Sequence, residues 1–132
     1  MLKSNLKGVD FSLLLLRIVA GGFMVINHGW GKLNKMLEGN WSFADPIGVG
    51  EELSLILTVG AEFACALFIV FGIITRIAAV PLVITMAVAA FIVHGSDGLG
   101  KQELAIIYLA MYSVILISGP GKYSLDRQLL KK

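Results

Sequence analysis

The run from Phe11 to Leu33, FSLLLLRIVAGGFMVINHGWGKL, most constrains what this chain can become. It is apolar and long enough to lie in lipid, yet it carries Arg17 near one end and His28 near the other. A helix turns about 100° per residue, so Arg17, Gly21, Met24 and His28 fall on one stripe. Leu13, Leu16, Val19, Phe23 and Ile26 make the opposite surface, which is indifferent to hydrocarbon. A cation inside a membrane segment costs at least about 2.5 kcal/mol unless it finds a partner or reaches an interface. The other helices are therefore expected to supply what this one lacks.

The rest of the composition agrees with a lipid setting. Of 132 residues 57% are apolar and only 15% charged, against roughly a quarter charged in soluble domains. The length suits one domain. A formal charge of +2 with no basic stripe interleaved with aromatics argues against a nucleic-acid partner. Cys65 is the sole cysteine, which excludes an intrachain disulfide and a CxxC redox pair and leaves a packing role. Lys3 and Lys7 before an apolar run resemble a signal peptide. The run has no A-x-A cleavage site and exceeds an h-region in length, so a retained first span is expected.

These features predict an all-α, integral membrane four-helix bundle in a single domain over 1–132. The helices are expected over residues 11–32, 51–74, 77–93 and 102–118, each long enough for a core of about 30 Å. Asp10 is a candidate N-cap. Gly21 and Gly22 permit close approach of a neighbouring helix. The stretch 34–50, rich in Gly and aromatics, reads as an ordered loop outside the cytoplasm, turned back at Asp45-Pro46. Residues 72–76 leave room only for a hairpin between helices two and three, and Pro81 falls in or near the first turn of the third. Gly119-Pro120-Gly121 stops the fourth helix, and a short amphipathic tail follows over 122–132. Lys3, Lys7, Arg76, Lys122, Arg127, Lys131 and Lys132 gather on one side. The positive-inside rule then places both termini in the cytoplasm of a multi-pass inner-membrane protein.

The buried polar candidates are Arg17, His28, Glu62, His94, Glu103 and Tyr108. Glu62 lies deep in the second helix and cannot snorkel, so it must be paired, protonated or facing water. Two readings fit. In one, Arg17 and Glu62 form an ion pair that fixes helix register; in the other, Glu62 is a proton-carrying or ligand-contacting carboxyl in a cavity. His28, His94 and Glu103 end or begin three helices and converge if the bundle is compact. They fit helix-end hydrogen bonding, contact with a quinone carbonyl, or metal ligation, but no local metal motif is present and no metal site is assigned. Tyr108 and Tyr112, one turn apart, line a cavity or hydrogen-bond across helices. The loop HGSDGLGK is not a Walker motif, because its lysine spacing is wrong and no strand precedes it.

The segments LLLRIVAGGFMVINHGWGKL, AEFACALFIVFGIITRIAA, FIVHG and GPGKYSLD, in that order over nearly the whole chain, resemble the DoxX-like family of small bacterial membrane proteins. The resemblance implies four transmembrane helices. It also implies a membrane redox setting, since the related DoxD belongs to a thiosulfate:quinone oxidoreductase. The family's polar positions look like Arg17, His28, Lys32, Glu62, Arg76, His94, Tyr123 and Asp126, and no catalytic set comes with them. The leading expectation is a small inner-membrane protein beside a redox system, with a polar-lined cavity for a quinone-like or other small apolar ligand. The alternative is a non-enzymatic accessory subunit that stabilises a larger membrane complex. The expected partners are the lipid bilayer and a membrane protein or further copies of this chain. A quinone suits the setting, and no metal, flavin or nucleotide motif names another cofactor.

Overall fold

The computed structural model describes residues 6–130. Four long helices, α1 (Leu6–Leu37), α2 (Glu51–Phe71), α3 (Thr75–Val93) and α4 (Leu99–Ser118), are each apolar and long enough to cross a membrane. A short helix, α5 (Leu125–Leu129), follows the fourth. Hydrocarbon offers backbone N–H groups no partner, which is why such sequences satisfy them within each segment as helix. Each helix packs against the next, and α4 closes the ring against α1.

The core is built from small residues. Ala20, Ala66, Ala79 and Ala90 are fully buried, with Met24, Leu82, Tyr112 and Ile115 filling between them. Lipid tails are as apolar as leucine, so association relies on close packing, which alanine and glycine allow. Gly21 shows this directly: a β-carbon there would lie 2.7 Å from Val70 Cγ2 and 2.8 Å from the Ala66 carbonyl oxygen. Its neighbour Gly22 faces open space. The large apolar side chains point outward, including Phe11, Phe23, Ile26, Ile77 and Ile84. Leu13, expected on that outer surface, is instead buried.

Several boundaries differ from those expected. Helix α1 starts at Leu6 rather than 11 and continues to Leu37 rather than 32; α2 ends at Phe71 rather than 74; α4 begins at Leu99 rather than 102. Asp10 therefore lies inside α1 and caps nothing there; its carboxylate accepts the Lys122 N–H at 3.0 Å. Pro81 falls inside α3 rather than in its first turn, an interior position that membrane helices tolerate. Lys3, Lys131 and Lys132, expected on the terminal side, lie outside the described residues.

The loop after α1 is tied down by Asp45. Its carboxylate accepts the N–H groups of Val49 and Gly50 at 2.9 Å and the Ser54 hydroxyl at 3.0 Å, which fixes the entry to α2. The Gly50 N–H above all holds this carboxyl below the usual aspartate range. Lys35 Nζ sits 5.7 Å from the Phe43 ring centre, pinning the loop to the end of α1.

The opposite end, where α1 begins and α5 lies, is knitted by the tail. Asp126 accepts from Ile74 N (2.7 Å), Thr75 N (2.9 Å) and Thr75 Oγ1 (2.7 Å), so a residue from the tail caps α3. Its own N–H donates to the Gly72 carbonyl at 2.8 Å. Burial pushes the Asp126 carboxyl up, but the Thr75 and Ile74 donors, with Arg17 nearby, outweigh it and hold the group below its ordinary value.

Candidate functional site

Three of the four long helices contain a wide π-helical turn: Val25–Gly29 in α1, Gly60–Cys65 in α2 and Ala89–Val93 in α3. Each turn carries or adjoins an ionisable residue: His28 in the first, Glu62 in the second, His94 directly after the third. A π turn inserts a residue, re-aims the side chains beyond it and frees a carbonyl from the ladder, and such turns recur at functional sites. In α3 the Ala90 carbonyl lies within the turn and accepts Gln102 Nε2 of α4 at 2.9 Å.

The turns of α1 and α2 meet backbone to backbone at Gly29, where a β-carbon would collide with the Glu62 carbonyl. Only glycine lets the helices approach so closely, and the approach brings the side chains flanking Gly29 onto α2. Lys32, one turn beyond His28, forms an ion pair with Glu62. Glu62 is 5% exposed while Lys32 keeps partial contact with the surroundings, so the carboxylate is the buried member of the pair.

Around that pair lies a cavity of about 200 Å³, lined by His28 and Lys32 of α1, Glu62 of α2, His94 after α3, and Lys101 and Tyr108 of α4. Met24 and Met86 form part of its apolar wall. The volume exceeds several waters at about 30 Å³ each but falls below the roughly 300 Å³ at which whole small-molecule pockets begin. It therefore suits a head group or a short water chain. His28 meets Tyr108 edge to face, with ring centres 5.6 Å apart, and Tyr108 stacks on Tyr112 at 5.9 Å. The Tyr112 hydroxyl is taken by the Ala20 carbonyl at 2.8 Å. The Tyr108 hydroxyl and the His28 ring nitrogens make no hydrogen bond among the described residues. His94 sits at the mouth, its Nδ1 3.0 Å from Asp97 Oδ2.

Of the six side chains singled out in the sequence, His28, Glu62, His94 and Tyr108 line this cavity. Arg17 and Glu103 do not. Arg17 is fully buried at the other end of the bundle, where it donates to the carbonyls of Ile69 (3.4 Å), Val70 (3.2 Å) and Tyr123. The Arg17–Glu62 pair is thus not formed. Glu62 precedes Ile69 by two turns of helix, about 10 Å of rise, and it is Lys32 that meets it. Glu103 faces outward on α4, away from His28 and His94. No group of three His, Cys, Asp or Glu side chains suited to a metal ion occurs among the described residues. Lys32 and Lys101 were not among the six. The signal for Lys32 was its four-residue spacing from His28, masked by ending the first helix at that lysine.

The DoxX family model matches residues 12–95, from the second turn of α1 to the end of α3. An inner membrane protein of Escherichia coli K12, YqjF, is 32% identical over 128 residues, covering 93% of this chain and 95% of the relative. Two Haemophilus influenzae proteins without a described function are similar to it as well. One is 31% identical over 134 residues, with 92% and 93% of the two chains covered. The other is 29% identical over 132 residues, with 95% and 87% covered. No solved structure matches this chain. The profile match and the near full-length similarity to YqjF, on four apolar helices of spanning length, make this chain a multi-pass membrane protein that belongs to the DoxX family.

Proposed function

We propose that the cavity around Lys32–Glu62 binds the polar head of a small apolar ligand of the quinone type, and that the protein serves a membrane redox system in this way. The observation that carries the reading is the convergence of ionisable or hydroxylic side chains from α1, α2, α4 and the turn directly after α3 on one cavity. Such groups are costly in a bilayer and are retained there for a task or a tight structural need. Lys32 and Glu62 neutralise one another; His28, Lys101 and the Tyr108 hydroxyl remain as donors for carbonyl oxygens. The apolar remainder of the ligand would leave between helices into lipid, as the cavity volume requires. The same reading has both termini in the cytoplasm and the cavity mouth on the outer side. It is supported by Lys7, Arg76, Lys122 and Arg127 at the terminal end, against Lys32, Lys35 and Lys101 diluted by Glu38, Asp45, Glu51, Glu52, Asp97 and Glu103 at the other.

The test is extraction of lipids from protein purified in mild detergent, with quinone quantified by mass spectrometry for wild type and His28→Ala. Wild type should retain quinone, and the variant about tenfold less, the effect of one lost buried hydrogen bond and ring contact. If neither retains any, and added quinone shifts no absorbance or tyrosine fluorescence, the reading ends.

A further inference from the structure

At the terminal end a second, larger recess of about 730 Å³ opens between the start of α1, the end of α4 and α5. Its charged rim is Arg76, Lys122 and Arg127, and Val9, Leu13 and Leu129 supply apolar wall. None of the three cations forms an ion pair among the described residues. Arg76 gives one N–H to the Ile117 carbonyl at 3.2 Å, leaving the rest of its guanidinium uncommitted. The two carboxylates present, Asp10 and Asp126, are turned onto backbone N–H groups of Lys122 and of Ile74 and Thr75. Three cations thus face two carboxylates that are already engaged by backbone donors, which leaves the recess net positive with its guanidinium and ammonium donors open. Beside them the apolar wall is uncovered at Val9 of α1 (45% exposed) and at Leu129 of α5 (62% exposed).

We infer that this recess is a site for one anionic glycerophospholipid, its phosphate held by Arg76, Lys122 and Arg127 and an acyl chain laid against Val9 and Leu13. Two features distinguish it from a general basic surface. The cations come from three separate places, the first turn of α3, the residue after the Gly-Pro-Gly stop and α5, so the folded tail helps to build the site. The recess also pairs charge with an apolar wall, which a free phosphate cannot use. Basic recesses between membrane helices hold anionic headgroups for this reason.

The experiment is native mass spectrometry of full-length protein after exchange into mixed micelles, with phosphatidylglycerol, phosphatidylcholine or inorganic phosphate as the probe. Wild type should retain one phosphatidylglycerol and release phosphatidylcholine. Arg76→Ala and Arg127→Ala should each weaken retention about fivefold, and the double variant about thirtyfold. Lys122→Gln, which removes only an exposed ammonium, should lower it similarly with unchanged melting temperature and so covers the case in which an arginine variant fails to fold. Equal retention of the two lipids, unchanged retention in Lys122→Gln, or displacement of the lipid by millimolar inorganic phosphate would each overturn the inference.

Discussion

Arg17 brings a positive charge to a place without solvent, and its surroundings explain why it stays. The last turn of α2 leaves carbonyls without helical partners, and the dipole there favours a cation. Arg17 donates to Val70 and Tyr123 and adds a second donor to the Ile69 carbonyl, which also takes the Gly72 N–H at 3.2 Å, three acceptors that no single ammonium can span. Gly72 makes room for it: a side chain there would strike the guanidinium and Ser124, and its φ of 71° suits glycine. Ile74 pays the conformational cost of the same turn, held at φ 41° although β-branched. Arg17→Met should destabilise the bundle by about 2–4 kcal/mol, since it strips donors from buried carbonyls while keeping much of the volume. Arg17→Lys should recover less than half of that. Denaturant titration in micelles followed by circular dichroism reads both, and a Met variant as stable as wild type would contradict this account.

At the scale of elements, α1 and α2 are joined by two glycine contacts two turns apart, Gly21 onto Ala66 and Val70 and Gly29 onto Glu62, with the Lys32–Glu62 pair beside the second. Removing one partner of a buried pair leaves an uncompensated charge, at a cost of about 3–5 kcal/mol; removing both costs far less. Lys32→Met and Glu62→Gln should therefore each destabilise strongly, and the double variant should be destabilised by far less than the sum of the two. A double-mutant cycle in micelles with a coupling near zero would mean that the two side chains do not interact. The four helices, the hairpin and the Gly-Pro-Gly stop were legible in the sequence because apolar length and punctuation are local properties. Glu62 was legible as a buried carboxyl in need of a partner; the partner was not. Partner choice depends on the rotation of α1 past Met24, which the π turn at Val25–Gly29 sets, and no residue preference in VINHG announces such a turn. Arg17 was legible as a buried cation but not its partners, for a related reason: its acceptors include the Tyr123 carbonyl, far away in the chain, and spacing within one helix could not bring that tail back.

Taken as a whole, the molecule has two differently built ends around an alanine-rich middle. One end holds a cavity in which donors stand without partners; the other is closed by the tail, with Asp126 capping α3 and donating to the Gly72 carbonyl. Docking of the tail should then depend on pH, in a direction that the Asp126 environment fixes. Its folded-state pKa lies below that of the unfolded chain, which for aspartate is about 3.9. The contribution is therefore complete above that value and is lost as pH falls through the lower, folded value. Hydrogen–deuterium protection of residues 120–130, corrected for intrinsic exchange, should be flat from about pH 5 to 8 and decline below about pH 4. Asp126→Ala should lose that protection at neutral pH and show no acid step, while amides in the middle of α2 and α4 stay protected because their core contacts do not involve the tail. The lipid recess shares α5 with this cap, so the same variant should also release phosphatidylglycerol. Protection in Asp126→Ala that matches wild type at pH 7 would show that the tail is held by its apolar contacts and by Arg17 instead.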